Sequence, residues 1–122
     1  MALTRTPMRK TTPKRTEEEE AARALVRVRS GGWCEMRLVG CTGRATDFSH
    51  RIRRSQGGPW TASNGMDACR MCHTWCGERA AESNGLGLTL ESWQDPTVEP
   101  VAYQNAGFVR LDDLGYLWPV GD

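Results

Sequence analysis

The chain has 122 residues, 39% hydrophobic and 25% charged, with 13 glycines and 6 prolines. That length suits one small domain with a thin core, a type that usually needs a metal or disulfide staple. No apolar run approaches the roughly 18 residues that span a bilayer. The basic start leads into no apolar stretch, so neither a membrane segment nor a secretory leader is expected, and the expected compartment is the cytoplasm. The net charge of +1 hides a polarity. Residues 1–80 carry fifteen of the sixteen Lys and Arg and eight of the fifteen acids, net +7; residues 81–122 are net −6. A basic first part points either to a polyanionic partner or to a merely solvated surface.

In chain order, residues 1–15 hold five cations and no acid and read as a disordered basic arm. Thr16 then opens a helix. Its hydroxyl can cap free N–H groups, Glu17 to Glu20 sit at the positive end of the dipole, and Arg23, Arg27 and Arg29 lie towards the other end. Ser30-Gly31-Gly32 stops it. Trp33 to Cys41 reads as a turn between two cysteines, Arg44 to Ile52 as a strand, and Arg53 to Ser63 as a loop rich in Gly, Ser and Pro. A second helix is expected over Arg70 to Ser83, with Asn84-Gly85 as its C-cap. Short β-prone pieces follow at Leu88–Leu90, Val98–Tyr103, Phe108–Leu111 and Tyr116–Val120, with turns at Asn105-Ala106-Gly107 and Asp112 to Gly115. The organisation expected is an arm (1–15), a main domain with its leading helix (16–87) and a C-terminal β extension (88–122).

Five cysteines are an odd number in a chain with no export signal, which favours metal binding over a disulfide framework. Cys69-x-x-Cys72 offers two thiolates from one tight turn, and Cys34-x6-Cys41, flanked by Gly40 and Gly43, can fold back towards them. Four sulfurs in two pairs suit one tetrahedral Zn²⁺. The alternative is a set of buried free thiols, and Cys76 is read as a core residue. The two histidines, His50 and His73, both fall beside this scaffold, with Asn64 between them. Taken singly, each is an ordinary surface or core group; their order together is what carries weight.

That order resembles the HNH endonuclease family, particularly its small bacteriophage versions. The matching residues are Cys34-x6-Cys41, Ser49-His50-Arg51 with Arg53, Arg54, Gly57 and Gly58, then Asn64-x4-Cys69-x2-Cys72-His73, Trp75, and the segment Val109 to Val120. The likeness runs from Gly31 to the C-terminus. It implies an α+β chain of the ββα-metal type. A two-stranded ribbon carries His50, a helix carries His73, a zinc knuckle clamps them, and a leading helix and C-terminal β-hairpin flank the core.

The resemblance also implies roles. His50 is the general base that takes a proton from the attacking water. Asn64 orients the His50 ring and ties the loop to the strand. His73 ligates one catalytic Mg²⁺ or similar divalent ion, distinct from a structural zinc on Cys34, Cys41, Cys69 and Cys72. The substrate implied is DNA, in phage genome packaging or DNA processing, with a terminase as a partner. Two positions depart from the family pattern. Ser49 stands where many members place an Asp or His ion ligand, and Gly77 where many place a second histidine. Ser49 and Asp47 are then the remaining strand candidates for the catalytic ion, Asp47 by lying on the same face, and Glu78 the helix candidate. Arg51, Arg53 and Arg54 are expected to pair with DNA phosphates, Trp60 to touch nucleic acid, and the other tryptophans mostly to fill the core. The rival readings are a zinc-binding DNA module that has lost its ion and a zinc-dependent protein adaptor.

Overall fold

Thr16 caps the first helix as expected: its Oγ1 accepts the Glu19 N–H at 3.1 Å, and α1 runs Glu17–Ser30. The computed structural model describes residues 14–120, so the expected basic arm through residue 13 lies outside the described residues. Gly31 ends α1 in the left-handed region at φ 66°. The helix buries Ala22 and Val26 against Phe48 and Ala62. Its last turn is fastened by charge. Arg29 is buried, paired with buried Glu35 at 2.7 Å, and donates to the carbonyls of Ala62 and Gly65. Arg27 pairs with Asp67 at 2.8 Å.

These contacts hold a two-stranded antiparallel ribbon, β1 (Asp47–His50) and β2 (Gly65–Ala68), with Asp47 opposite Ala68 and His50 opposite Gly65. Gly65 is required: a Cβ there would lie 1.9 Å from the Phe48 ring. The strand expected over 44–52 is shorter because Arg51 and Ile52 turn aside to bond with Asn64.

After the ribbon comes α2 (Arg70–Glu78), which packs against both strands, and then α3 (Ala80–Gly85). One helix over 70–83 was expected; Arg79, at φ −122° and ψ 64°, divides it in two. Gly85 is the last residue of α3 rather than its cap, and the left-handed residue is Gly87, at φ 73°, where a Cβ would strike the Pro100 carbonyl at 2.0 Å. The piece Leu88–Leu90 is no strand; the Leu90 N–H donates to the Arg51 carbonyl, and both leucines are buried.

Instead of one C-terminal hairpin, three short antiparallel strands form a meander, β3 (Val101–Ala102), β4 (Phe108–Leu111) and β5 (Leu117–Pro119). Asp112 shapes its second turn by accepting the N–H groups of Leu114 and Tyr116 at 2.9 Å. Leu88, Val101 and Leu111 share one buried cluster with Cys34, Met36, Met66, Cys69, Cys72 and Cys76. Cysteine and methionine therefore fill much of the centre. The tryptophans do not: Trp33, Trp93 and Trp118 are exposed, and Trp60 and Trp75 are partly buried. The chain is thus a mixed helix-and-sheet protein. Among the described residues no helix is long and apolar enough to cross a membrane.

Candidate metal centre and histidine cleft

The loop 34–43 turns back on itself through Gly40 (φ 86°) and Gly43 (φ 94°), and the Cys34 N–H donates to the Gly43 carbonyl at 2.8 Å. Cys69 caps α2, its Sγ accepting the Cys72 N–H at 3.4 Å. This folding brings the Sγ atoms of Cys34, Cys41, Cys69 and Cys72 within 4.8 Å of one another. The Cys41 and Cys69 sulfurs are 3.8 Å apart. A tetrahedral Zn²⁺ with Zn–S bonds of about 2.3 Å requires sulfurs about 3.8 Å apart, and disulfide bonding requires about 2.05 Å. The donor set therefore fits a metal such as zinc. Burial pushes the Cys69 thiol up, yet hydrogen bonds from the backbone and side chains of Thr42 and Cys72 outweigh it and bring the pKa to about 6, an environment that favours thiolate. Burial raises Cys41 and Cys72. Cys76 lies outside the group, its Sγ 3.6 Å from the Met36 sulfur in the core.

Beside this centre, a cleft of about 410 Å³ is lined by Ser49, His50, Arg53, Arg54, His73 and Gly77, among others. His50, the last residue of β1, stands edge-on to Trp60 with ring centroids 4.3 Å apart, and to Phe48 at 5.0 Å. Trp60 also lies against the guanidinium groups of Arg23 (5.0 Å) and Arg54 (5.6 Å). Burial first, then the charges of Arg54 and Arg23, depress the His50 pKa to about 4. Its Nε2 is buried with no hydrogen-bond partner. The imidazole is therefore neutral at pH 7, the form a base needs. An NMR pH titration is expected to place its midpoint near 4; a midpoint near the ordinary value of about 6.5 contradicts this environment.

Several expected site residues take other positions. Asn64 does not bond to the His50 ring. Its Oδ1 accepts the Ile52 N–H at 2.7 Å, and its Nδ2 donates to the Ile52 and Pro59 carbonyls at 3.1 Å. The backbone strap ties the loop to the strand, so Asn64 bears on His50 only through the backbone. Arg51 is not a phosphate ligand: it is fully buried. Its guanidinium donates to the carbonyls of Gly87 (2.8 Å), Ser63 (3.0 Å), Pro96 (2.7 Å) and Glu99 (2.9 Å). Burial first, then Arg29, lower its pKa to about 10. Arg53 and Arg54 do reach the cleft and are exposed.

Asp47 is not free to act as an ion ligand. Its Oδ2 lies 2.8 Å from His73 Nδ1 and accepts from Arg70 Nε at 2.7 Å, and its Oδ1 accepts from Thr46 and Arg70. Burial would raise its pKa, but Arg70, His73 and Thr46 bring it down to about 2. Ser49 is buried and lines the cleft with a hydroxyl only. At Gly77 an added Cβ would meet nothing within 4 Å, so space exists there with no donor in it. Glu78 lines a different hollow, with Arg79 and Glu82. Among the described residues, the four cysteines are the group of three or more His, Cys, Asp or Glu able to hold a metal. The cleft offers a catalytic ion one imidazole nitrogen and a hydroxyl, which does not make a preformed protein site. Arg23 and Arg70 were not singled out from sequence, because a helical arginine carries no local mark of where it lands.

Compared with known proteins, the chain matches no family model, no curated protein and no solved structure.

Proposed function

We propose that the chain is an HNH-type endonuclease that hydrolyses DNA phosphodiester bonds on a ββα scaffold clamped by structural zinc. One observation carries the reading: a half-buried histidine from the ribbon and a second histidine from the helix, next in sequence to Cys72 of the cysteine cluster, line a single cleft with Arg53 and Arg54. In this reading His50 accepts a proton from the water that attacks phosphorus. Arg53 and Arg54 hold non-bridging phosphate oxygens. Trp60, braced by Arg23 and Arg54, packs edge-on against the His50 ring and holds it in place. The resemblance places a divalent ion on His73, where it would stabilise charge on the phosphate and the leaving oxygen. The cleft's own donors do not complete such a site, and the roles above stand without it. Phage DNA packaging or processing beside a terminase is the setting the resemblance suggests.

The test is nicking of supercoiled plasmid by the zinc-loaded chain with Mg²⁺, Mn²⁺ or Ni²⁺. His50→Ala is expected to lower the rate about 10²- to 10⁴-fold without weakening DNA binding. Ser49 and Gly77 favour one rival, a zinc-bearing DNA-binding module without catalysis. Salt-sensitive binding with no cleavage under any of the three ions would establish that rival.

A further inference from the structure

We infer that Asp47 is a positioning residue that holds the His73 ring through Nδ1–H, so that Nε2 carries the lone pair whenever the ring is neutral. The proposal rests on the endonuclease reading only for what Nε2 then does; the tautomer stands on geometry. The Asp47 carboxylate takes hydrogen bonds from Thr46 Oγ1 (2.9 Å), Arg70 Nε (2.7 Å) and Arg70 Nη2 (3.2 Å) as well as facing His73 Nδ1 at 2.8 Å. An ionised carboxylate only accepts hydrogen bonds, so the nitrogen facing it must be the donor. A neutral imidazole carries one N–H, and once that is Nδ1–H the lone pair is on Nε2. A protonated Asp47 would reverse the roles, but two contacts from the Arg70 guanidinium hold it ionised.

Both ends of this pair are fixed from outside. Asp47 opens β1 in register with Ala68. His73 sits in the first turn of α2, its N–H on the Cys69 carbonyl at 3.0 Å, one residue past the ligand-type Cys72. The cysteine cluster therefore sets where the imidazole stands, and the ribbon sets which of its nitrogens is protonated. With its acceptor sites engaged, Asp47 acts through His73 and not beside it. A carboxylate on the far nitrogen also makes the near one a better donor to a cation or a better acceptor of a proton. Under the endonuclease reading, Nε2 is the His73 nitrogen left to meet a divalent ion or a water on the phosphate.

The experiment is a long-range ¹H–¹⁵N correlation spectrum of the histidines in the zinc-loaded, full-length chain, followed upward in pH until the ring signals stop moving and read at that limit, without DNA or added divalent ion. Wild type is expected to show His73 protonated at Nδ1 and bare at Nε2. In Asp47→Ala the Nδ1–H population is expected to be lost to the Nε2–H form, with zinc content and the amide spectrum retained. Arg70→Ala, which leaves the carboxylate in place, is expected to keep it. A wild-type His73 protonated at Nε2 overturns the proposal without any variant, and so does an unchanged tautomer in Asp47→Ala. An Nδ1–H His73 in a chain that never cuts DNA would leave this proposal standing and remove the endonuclease reading.

Discussion

Stripping the metal is expected to unfold the chain rather than merely to inactivate it. Cys34, Cys69 and Cys72 are buried in the main core, so the centre of the domain is built around the four sulfurs. Without a cation those thiols leave a cluster of soft, weakly satisfied groups in place of a bonded hub. Structural zinc contributes about 10–16 kcal/mol of apparent binding free energy in small domains. That matches or exceeds the whole stability of a typical domain, about 5–15 kcal/mol. One zinc per chain is expected by elemental analysis. A strong chelator, or Cys72→Ser, is expected to abolish the cooperative thermal transition seen by circular dichroism. A cooperative transition that persists in the metal-free chain would contradict this role.

The second large effect concerns Arg51. Its guanidinium is the shared partner of four carbonyls, from the β1–β2 loop, the turn after α3 and the 96–99 segment. Arg51→Ala leaves all four acceptors without this partner; those of Ser63 and Gly87 are buried, at about 1–3 kcal/mol each before relaxation, and those of Pro96 and Glu99 are half-buried. The net loss is expected to be on the order of 3–5 kcal/mol, as for other broken buried charged networks. A lysine in its place has a single nitrogen and cannot span four acceptors. Arg53→Ala should change stability by no more than about 0.5 kcal/mol, and Arg53→Ala and Arg54→Ala should each lower the salt dependence of DNA binding by about one charge. Urea denaturation beside a salt titration of DNA binding separates the two kinds of arginine. Full stability in Arg51→Ala with weakened DNA binding would reverse the assignment.

The features legible from sequence were those written in local chemistry. The Thr16 cap, the acids after it and Gly31 delimit α1, because helix ends are set by neighbours in sequence. Cysteine spacing pointed to the four-sulfur cluster, because ligand type and tight turns are local too. What escaped depends on partners far along the chain. Arg51 and Arg53 look alike in sequence, yet one faces carbonyls 12 to 48 residues away and the other faces the cleft. Asp47 lies 26 residues before His73, and no spacing rule says whether a carboxylate there meets a metal or an imidazole N–H. Asn64 was expected at the ring of His50 and instead holds the backbone of Ile52, two residues further along. The four residues of β2 are all buried, so they lack the alternation that announces a strand.

The central claim is that His50 drives phosphodiester hydrolysis in the cleft beside the cysteine centre. Its most direct test is end-group analysis of an end-labelled DNA duplex incubated with the zinc-loaded chain, wild type beside His50→Ala. Hydrolysis with departure of the 3′ oxygen predicts 3′-hydroxyl and 5′-phosphate ends from wild type, and intact duplex, still bound, from the variant. Cleavage undiminished by the substitution, or bound duplex that wild type never cuts, would contradict the account.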